Sequence, residues 1–359
     1  METNRVVACR GGGRTEIEAR PAPVAGPGEM VLGLRVVGLC GTDLFKLGAG
    51  GDPPGLVLGH ELVGEVLDLG PGVEGFLTGD RVAVPHHVPC GECIYCRHGS
   101  ETMCDGFREN LLEPGGFAER VLVRPRAASL AARKVPDAVA DEAAVFMEPA
   151  ACVLRGVRRS GLNVDNEGDG AAGDGVAGDG AAILGGGSMG LLHLLVLRAL
   201  FPAMPLVVVD PVEERRALAV ELGASAAAAP DEARAAMLGE TGGAGAGAVF
   251  DTVGGARLLE AGIGLTRRGG TVILFAHAPE GQRADFDLNT LFKHERRVIG
   301  SYSGALAEQE EVFGLMADGR LDPARLVTHR LPLDRFEEGL RLSRERKALK
   351  VLFTPGGSA

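Results

Sequence analysis

An α/β chain of two domains is predicted, a β-rich one and a doubly wound parallel sheet. Three features predict it. Short strand patterns broken by Gly and Pro fill roughly the first 150 residues. Strand and helix patterns then alternate from residue 181 onward, which implies parallel pairing with crossover helices. A Gly-x-Gly-x-x-Gly turn joins the first strand and helix of that alternation. The 359 residues suit two domains at the usual ~100–200 residues each.

In chain order, strands are expected at 30–37, 63–69 and 81–84, with Gly70-Pro71-Gly72 as a turn. Residues 141–160 are expected to be helical. Next come a strand at 181–184, an apolar helix at 189–200, a strand at 206–209 and a helix at 212–222. Strands at 248–250 and 271–275 follow. From about residue 301 two helical stretches lead to a last strand at 350–353.

Glycine is abundant, at 55 residues with no Trp and two Tyr, but no three-residue period makes the chain collagen-like. Hydrophobic residues are 45% of the chain, enough for an ordered core. A net charge of −11 argues against a nucleic-acid or anionic-membrane partner. No apolar run approaches the ~20 residues of a membrane span, and Met1 to Arg5 lack signal-peptide character. A cytoplasmic location is therefore expected. Seven cysteines, four of them crowded together, point to thiols or metal ligands rather than a disulfide framework.

Gly185-Gly186-Gly187-Ser188-Met189-Gly190 follows a strand, opens a helix, and precedes Asp210 at the end of the next strand. This context turns a weak motif into a dinucleotide site. Gly185 permits the tight turn, Gly187 lets the backbone approach a pyrophosphate, and Gly190 lets helix and strand pack. Ser188 and Met189 open the helix whose unpaired N–H groups face the phosphates. Asp210 would bind a ribose diol and repel a 2′-phosphate, favouring NAD over NADP; Arg215 and Arg216 temper that preference.

Cys90-x2-Cys93-x2-Cys96-x7-Cys104 has the spacing of a closed four-thiolate site, expected to hold a structural zinc. Cys40, His60, Glu61 and Glu148 are the ligand types of a second, catalytic zinc with an open position. Two zinc ions per chain are expected. Residues 168–182 repeat a Gly-Asp-Gly-x-Ala unit three times. Its period of five is not the nine of calcium-binding rolls, so it is expected to be a flexible expansion without a ligand.

Together GLCGTD at 38–43, GHE at 59–61, the four-cysteine loop, PGGFAE at 114–119, EPAACV at 148–153, GGGSMG at 185–190 and GSYS at 300–303 are distinctive. The chain resembles the zinc-dependent medium-chain dehydrogenase/reductase family over nearly its whole length, and most closely the polyol, sugar and threonine dehydrogenase branch. The resemblance implies a GroES-like catalytic domain over residues 1–150 and 301–359. It implies a Rossmann domain over 151–300, with the Gly/Asp repeat as a loop at 165–180. It implies that Cys40 and His60 bind zinc, with Glu61 and Glu148 completing the sphere directly or through water. Asp43 would fix the His60 tautomer, and Thr42 would begin a proton relay. Phe45 replaces a relay histidine of many relatives, so the relay would run from Thr42 through cofactor ribose hydroxyls or use another group.

His87 matches a substrate-site histidine of the threonine dehydrogenases in spacing; His86, Ala276, His277 and Tyr302 are further pocket candidates. Cys152 is expected to pack beside the cofactor and Cys9 to be a small buried residue. The implied activity is hydride transfer between a small-molecule secondary alcohol (polyol, sugar, cyclitol or hydroxy amino acid) and NAD, in a homodimer or homotetramer paired near Val298. A non-catalytic zinc- and NAD-binding sensor or scaffold is the alternative.

Overall fold

The structure is a computed structural model that describes residues 2–48, 52–162 and 179–356. The chain divides into two compact units, Met1–Pro149 with Ala305–Ala359, and Ala150–Gly304.

In the first unit, strand Met30–Gly38 is central. It pairs antiparallel with Glu61–Leu69 on one side. On the other it meets Arg120–Val123 along its first half and Lys350–Thr354 at its end. Arg81–Val84 extends the sheet beyond Glu61–Leu69, and Val327–Pro332 lies parallel to Lys350–Thr354. Register shifts at Val31/Leu32 and Leu34/Val36 let one strand serve three neighbours, since bulges bend and twist a strand. Hairpin Thr3–Gly11 with Arg14–Pro21 covers the sheet through isolated bridges at Ala118 and Val57. The core gathers Met30, Leu32, Val66 and Val82 with Phe117, Phe336 and Phe353.

The second unit is a six-stranded, fully parallel sheet. Its spatial order is Ala226–Ala228, Leu206–Val209, Ala181–Leu184, Ala246–Asp251, Thr266–Leu274, Arg297–Gly300. Numbered along the chain that is 3-2-1-4-5-6, the Rossmann order. Ala181–Leu184, Leu206–Val209 and Ala246–Asp251 are buried at every position, as strands covered on both faces must be.

The helical stretch expected over 141–160 comprises two helices, Asp141–Ala144 and Met147–Ser160. Pro149 decides this. It has no N–H for the carbonyl four residues back, and its ring would clash there, but it fits a first helical turn.

Most of the repeated Gly-Asp segment lies outside the described residues. Only the end of its last copy, Asp179 to Ala182, is described. Asp179 pairs with Arg267, with Nε–Oδ1 at 2.9 Å, and Ala181 already belongs to the first strand. Gly247 leaves room for this carboxylate, because a Cβ there would lie 2.0 Å from Asp179 Oδ1. Among the described residues, no helix is long and apolar enough to cross a membrane.

Candidate metal and dinucleotide sites

Cys40 ends the turn after strand Met30–Gly38, and helix Gly41–Gly48 follows it. Asp43, buried in the first turn of that helix, ties the two halves of the site together. Its Oδ2 accepts from the Cys40 N–H at 3.0 Å and its Oδ1 from the Gly59 N–H at 3.3 Å. Gly59 has φ +88°, and a Cβ there would lie 2.7 Å from the Phe117 nitrogen. Only glycine fits such a turn, which delivers His60 and Glu61 into the interior.

Ligand atoms of Cys40, His60 and Glu61 all lie within 4.8 Å of one another. His60 Nδ1 stands 3.4 Å from Asp43 Oδ1. Burial opposes the imidazolium form, but the charges of Asp43 and Cys40 outweigh it and raise the His60 pKa well above that of a free histidine. Negative charge converges here on a place suited to a cation. Glu61 Oε1 is buried with no hydrogen-bond partner among the described residues, a second sign that the donor set suits a metal. Zinc fits this donor set. Glu148 lies outside the cluster, half-buried at the start of helix Met147–Ser160. Thr42 is half-buried, and its N–H points to the Cys40 sulfur at 3.5 Å.

A stack of rings runs away from this cluster. His60 to His86 is 4.5 Å between centroids, His86 to His87 is 3.5 Å, and His87 to Phe107 is 5.3 Å. Burial first, then the neighbouring positive charges, push His86 well below the ordinary histidine range and His87 to about 4. Both rings are therefore neutral near pH 7, and His86 Nδ1 is buried without a hydrogen bond among the described residues. Phe45 is 61% exposed and Tyr302 40%.

In the cysteine loop, Cys90 and Cys96 sulfurs are 3.9 Å apart and those of Cys93 and Cys96 3.6 Å. A tetrahedron of zinc–sulfur bonds has edges of about 3.8 Å. The Cys90 N–H donates to Cys104 Sγ and the Cys93 N–H to Cys90 Sγ, both at 3.4 Å. Backbone donors lower Cys90 to about 6, whereas burial and its neighbouring thiols raise Cys96 to about 12. Four packed thiols cannot all ionise without a cation between them, so this set also fits zinc.

In the parallel sheet, Gly185 has φ +103° at the end of the first strand. A Cβ on Gly190 would sit 1.8 Å from the Gly185 carbonyl oxygen, while one on Gly187 would meet nothing within 4 Å. Packing therefore requires the last glycine, and the middle one faces open space at the N-terminus of helix Ser188–Leu200. That helix start has no side-chain cap, leaving its first N–H groups for an anion. Asp210 is buried and already accepts from the N–H groups of Gly186 at 2.7 Å and Val212 at 2.8 Å. Arg215 lies 3.7 Å from its carboxylate. The turn and this acid form one cradle that suits a dinucleotide.

Residues 26–136 match the family model described as alcohol dehydrogenase GroES-like domain, and 189–318 that of zinc-binding dehydrogenase. The L-threonine 3-dehydrogenase of Thermococcus kodakarensis is 31% identical over 343 residues, covering 93% of this chain and 92% of that protein. The chain belongs to the zinc-dependent medium-chain dehydrogenase/reductase family. Among further relatives of this dehydrogenase, the sorbitol dehydrogenase of Halalkalibacterium halodurans is 29% identical, covering 96% of this chain and 97% of that one. The solved alcohol dehydrogenase of Thermus sp. ATN1 superposes with a TM-score of 0.84 at 28% identity, covering 98% of this chain and all of that one. The chain is an oxidoreductase, and the non-catalytic sensor or scaffold alternative is not supported.

The sequence reading of this dehydrogenase missed Lys350. It is buried, its ammonium pairs with Glu61 Oε2, and it lies 5.3 Å from the Phe146 ring centroid. Burial works against its charge, yet Glu61 and Cys40 raise its pKa. The signal was a lone lysine in the otherwise apolar run Lys350-Val351-Leu352-Phe353.

Proposed function

We propose that this dehydrogenase is NAD-dependent, holds two zinc ions per chain, and oxidises the secondary alcohol of a polyol, sugar, cyclitol or hydroxy amino acid. The buried Cys40, His60 and Glu61 cluster, with Asp43 behind it, carries this reading. When bound, zinc supplies a Lewis acid and the nicotinamide a hydride acceptor.

The chain's own residues do the rest. Asp43 keeps a proton on His60 Nδ1, which turns the other ring nitrogen toward the metal seat. Thr42 Oγ1 accepts the substrate hydroxyl proton while passing its own onward, which begins the relay that Phe45, with no proton to exchange, cannot serve. Glu148 would complete the sphere directly or through water, and Cys90, Cys93, Cys96 and Cys104 would hold the structural ion. Neutral His87 and His86 accept or donate one hydrogen bond to a second polar group of the substrate. Gly185 to Gly190 seat the pyrophosphate, with Ser188 and Met189 at the helix start, and Asp210 favours NAD against Arg215. This division of labour assigns the metal work to residues 1–150 and 301–359 and the cofactor work to 151–300. A cytoplasmic homodimer or homotetramer, paired along strand Arg297–Gly300, completes the reading.

A panel of polyols, sugars, cyclitols and threonine, assayed for NADH and NADPH formation, tests it. Turnover is expected with NAD and at least one vicinally substituted secondary alcohol. His87→Ala should raise KM about tenfold with kcat less affected, as loss of one buried hydrogen bond does. No turnover despite full zinc occupancy would sink the reading, and an unchanged KM and pH profile would remove His87 from the pocket.

A further inference from the structure

Four guanidinium groups crowd one end of the parallel sheet in a chain whose net charge is −11. Arg234 sits on helix Ala233–Glu240, Arg267 and Arg268 lie in strand Thr266–Leu274, and Arg296 immediately precedes strand Arg297–Gly300. With residues 243–245 and 264–265 they line a pocket of about 250 Å³. Because every strand is parallel, this pocket lies where strands begin, whereas the Gly185–Gly190 turn lies where the first strand ends. It is therefore remote from the dinucleotide cradle.

Hydrogen bonds hold three of the four guanidinium groups, and one of the four is neutralised by a carboxylate among the described residues. Asp179 pairs with Arg267; Arg234, Arg268 and Arg296 have no carboxylate partner among the described residues. Instead, Arg234 Nη1 donates to the Gly264 carbonyl at 2.6 Å and Arg296 Nη2 to the Thr266 carbonyl at 2.9 Å. Such bonds set the direction of a guanidinium and leave its charge intact, which is preorganisation for an incoming anion. Arg234 and Arg268 are exposed, while Arg267 and Arg296 are half-buried. Here burial, then the charges of Arg234 and Arg268, lower the pKa of Arg296. Met237 and Leu265, both buried, are among the pocket's apolar lining residues.

We propose that this pocket binds a compact, multiply charged phosphate-type oxyanion, at a site separate from the cofactor's. A phosphate oxygen face matches the planar fork of arginine, and multiple negative charges relieve the mutual repulsion of the cluster. The volume is below the ~300–1,000 Å³ of pockets that enclose a drug-sized ligand. Phosphate or pyrophosphate therefore fits better than a whole nucleotide. The anion would tie helix Ala233–Glu240 to the beginnings of the last two strands.

The test uses zinc-loaded enzyme saturated with NAD, so that the phosphate seat at Gly185–Gly190 is filled. Pyrophosphate is titrated by calorimetry against chloride of equal ionic strength, with zinc content checked afterwards. One equivalent per chain is expected to bind, with at least a tenfold loss of affinity in Arg268→Ala and in Arg234→Ala and no change in KM for NAD. Melting adds a crossover. Without the anion, Arg268→Ala should melt no lower than the parent, because a repulsive charge is gone. With pyrophosphate, the parent should rise in Tm and the variant should not. Absence of binding once NAD is saturating, or equal affinity in parent and variants, would overturn the proposal, as would chloride matching the effect.

Discussion

Gly38, Glu61 and Lys350 show how one buried charge pair is built from three distant strand positions. The sheet register sets Gly38 opposite Glu61 on one side and Leu352 on the other. A Cβ on Gly38 would fall 2.9 Å from Lys350 Cε and still closer to the Glu61 carboxylate. The missing side chain makes the space in which the two meet. Removing one partner of a buried ion pair strands the other charge, at about 3–5 kcal/mol, while removing both costs far less. Lys350→Met should therefore destabilise the zinc-free protein by about that amount, and adding Glu61→Gln should recover most of it. Denaturant melts of the two variants decide this; a double variant as weak as the single would refute the pairing as a stability element. Cys40, His60 and Glu61 were legible because their motifs are short and local. Lys350 was not, because its partner is 289 residues away and no local pattern marks that distance.

Helix Ser188–Leu200 carries a second buried histidine with a different fate. His193 lies on the face turned to the sheet, edge-on to Phe275 at 4.5 Å between centroids. Its Nδ1 bonds the Met189 carbonyl at 2.7 Å. Burial pulls its pKa from 6.5 to about 4, so the folded state favours the neutral ring. The unfolded chain binds the proton first as pH falls, hence this contribution is intact above pH 6.5 and is lost between there and about 4. By linkage the full loss is about 3 kcal/mol. His193→Leu should flatten the fall of Tm between pH 7 and 4.5 relative to the parent; parallel curves would exclude the effect. The position of this helix was readable from its apolar run and the glycine turn before it. The break at Val145 and Phe146 was also encoded, in Pro149, but an apolar pattern continuing on both sides masked it.

Across the whole molecule, the composition shift near residue 140 and the alternation after residue 181 mark the two units. The sheet order could not be read the same way, since pairing partners follow from three-dimensional packing and not from spacing. Asp179 and Gly180, in the last copy of the repeated Gly-Asp segment, lie where the first strand of the second unit begins, away from the glycine turn. Deleting residues 168–177, which spares Asp179 and its bond to Arg267, should leave NADH affinity within about twofold by fluorescence titration; a large loss would show that the segment acts on the cofactor site. The first unit is discontinuous in the chain, which leaves it at Pro149 and returns at Ala305. That break has a consequence in time. On the ribosome Cys40, His60 and Glu61 emerge early, while the lysine that neutralises Glu61 arrives some 300 residues later, roughly 15–60 s at ordinary elongation rates. Until then the nascent chain carries an open sheet edge and an unmatched carboxylate, so strand Lys350–Thr354 joins the Cys40, His60 and Glu61 cluster long after those three residues have emerged.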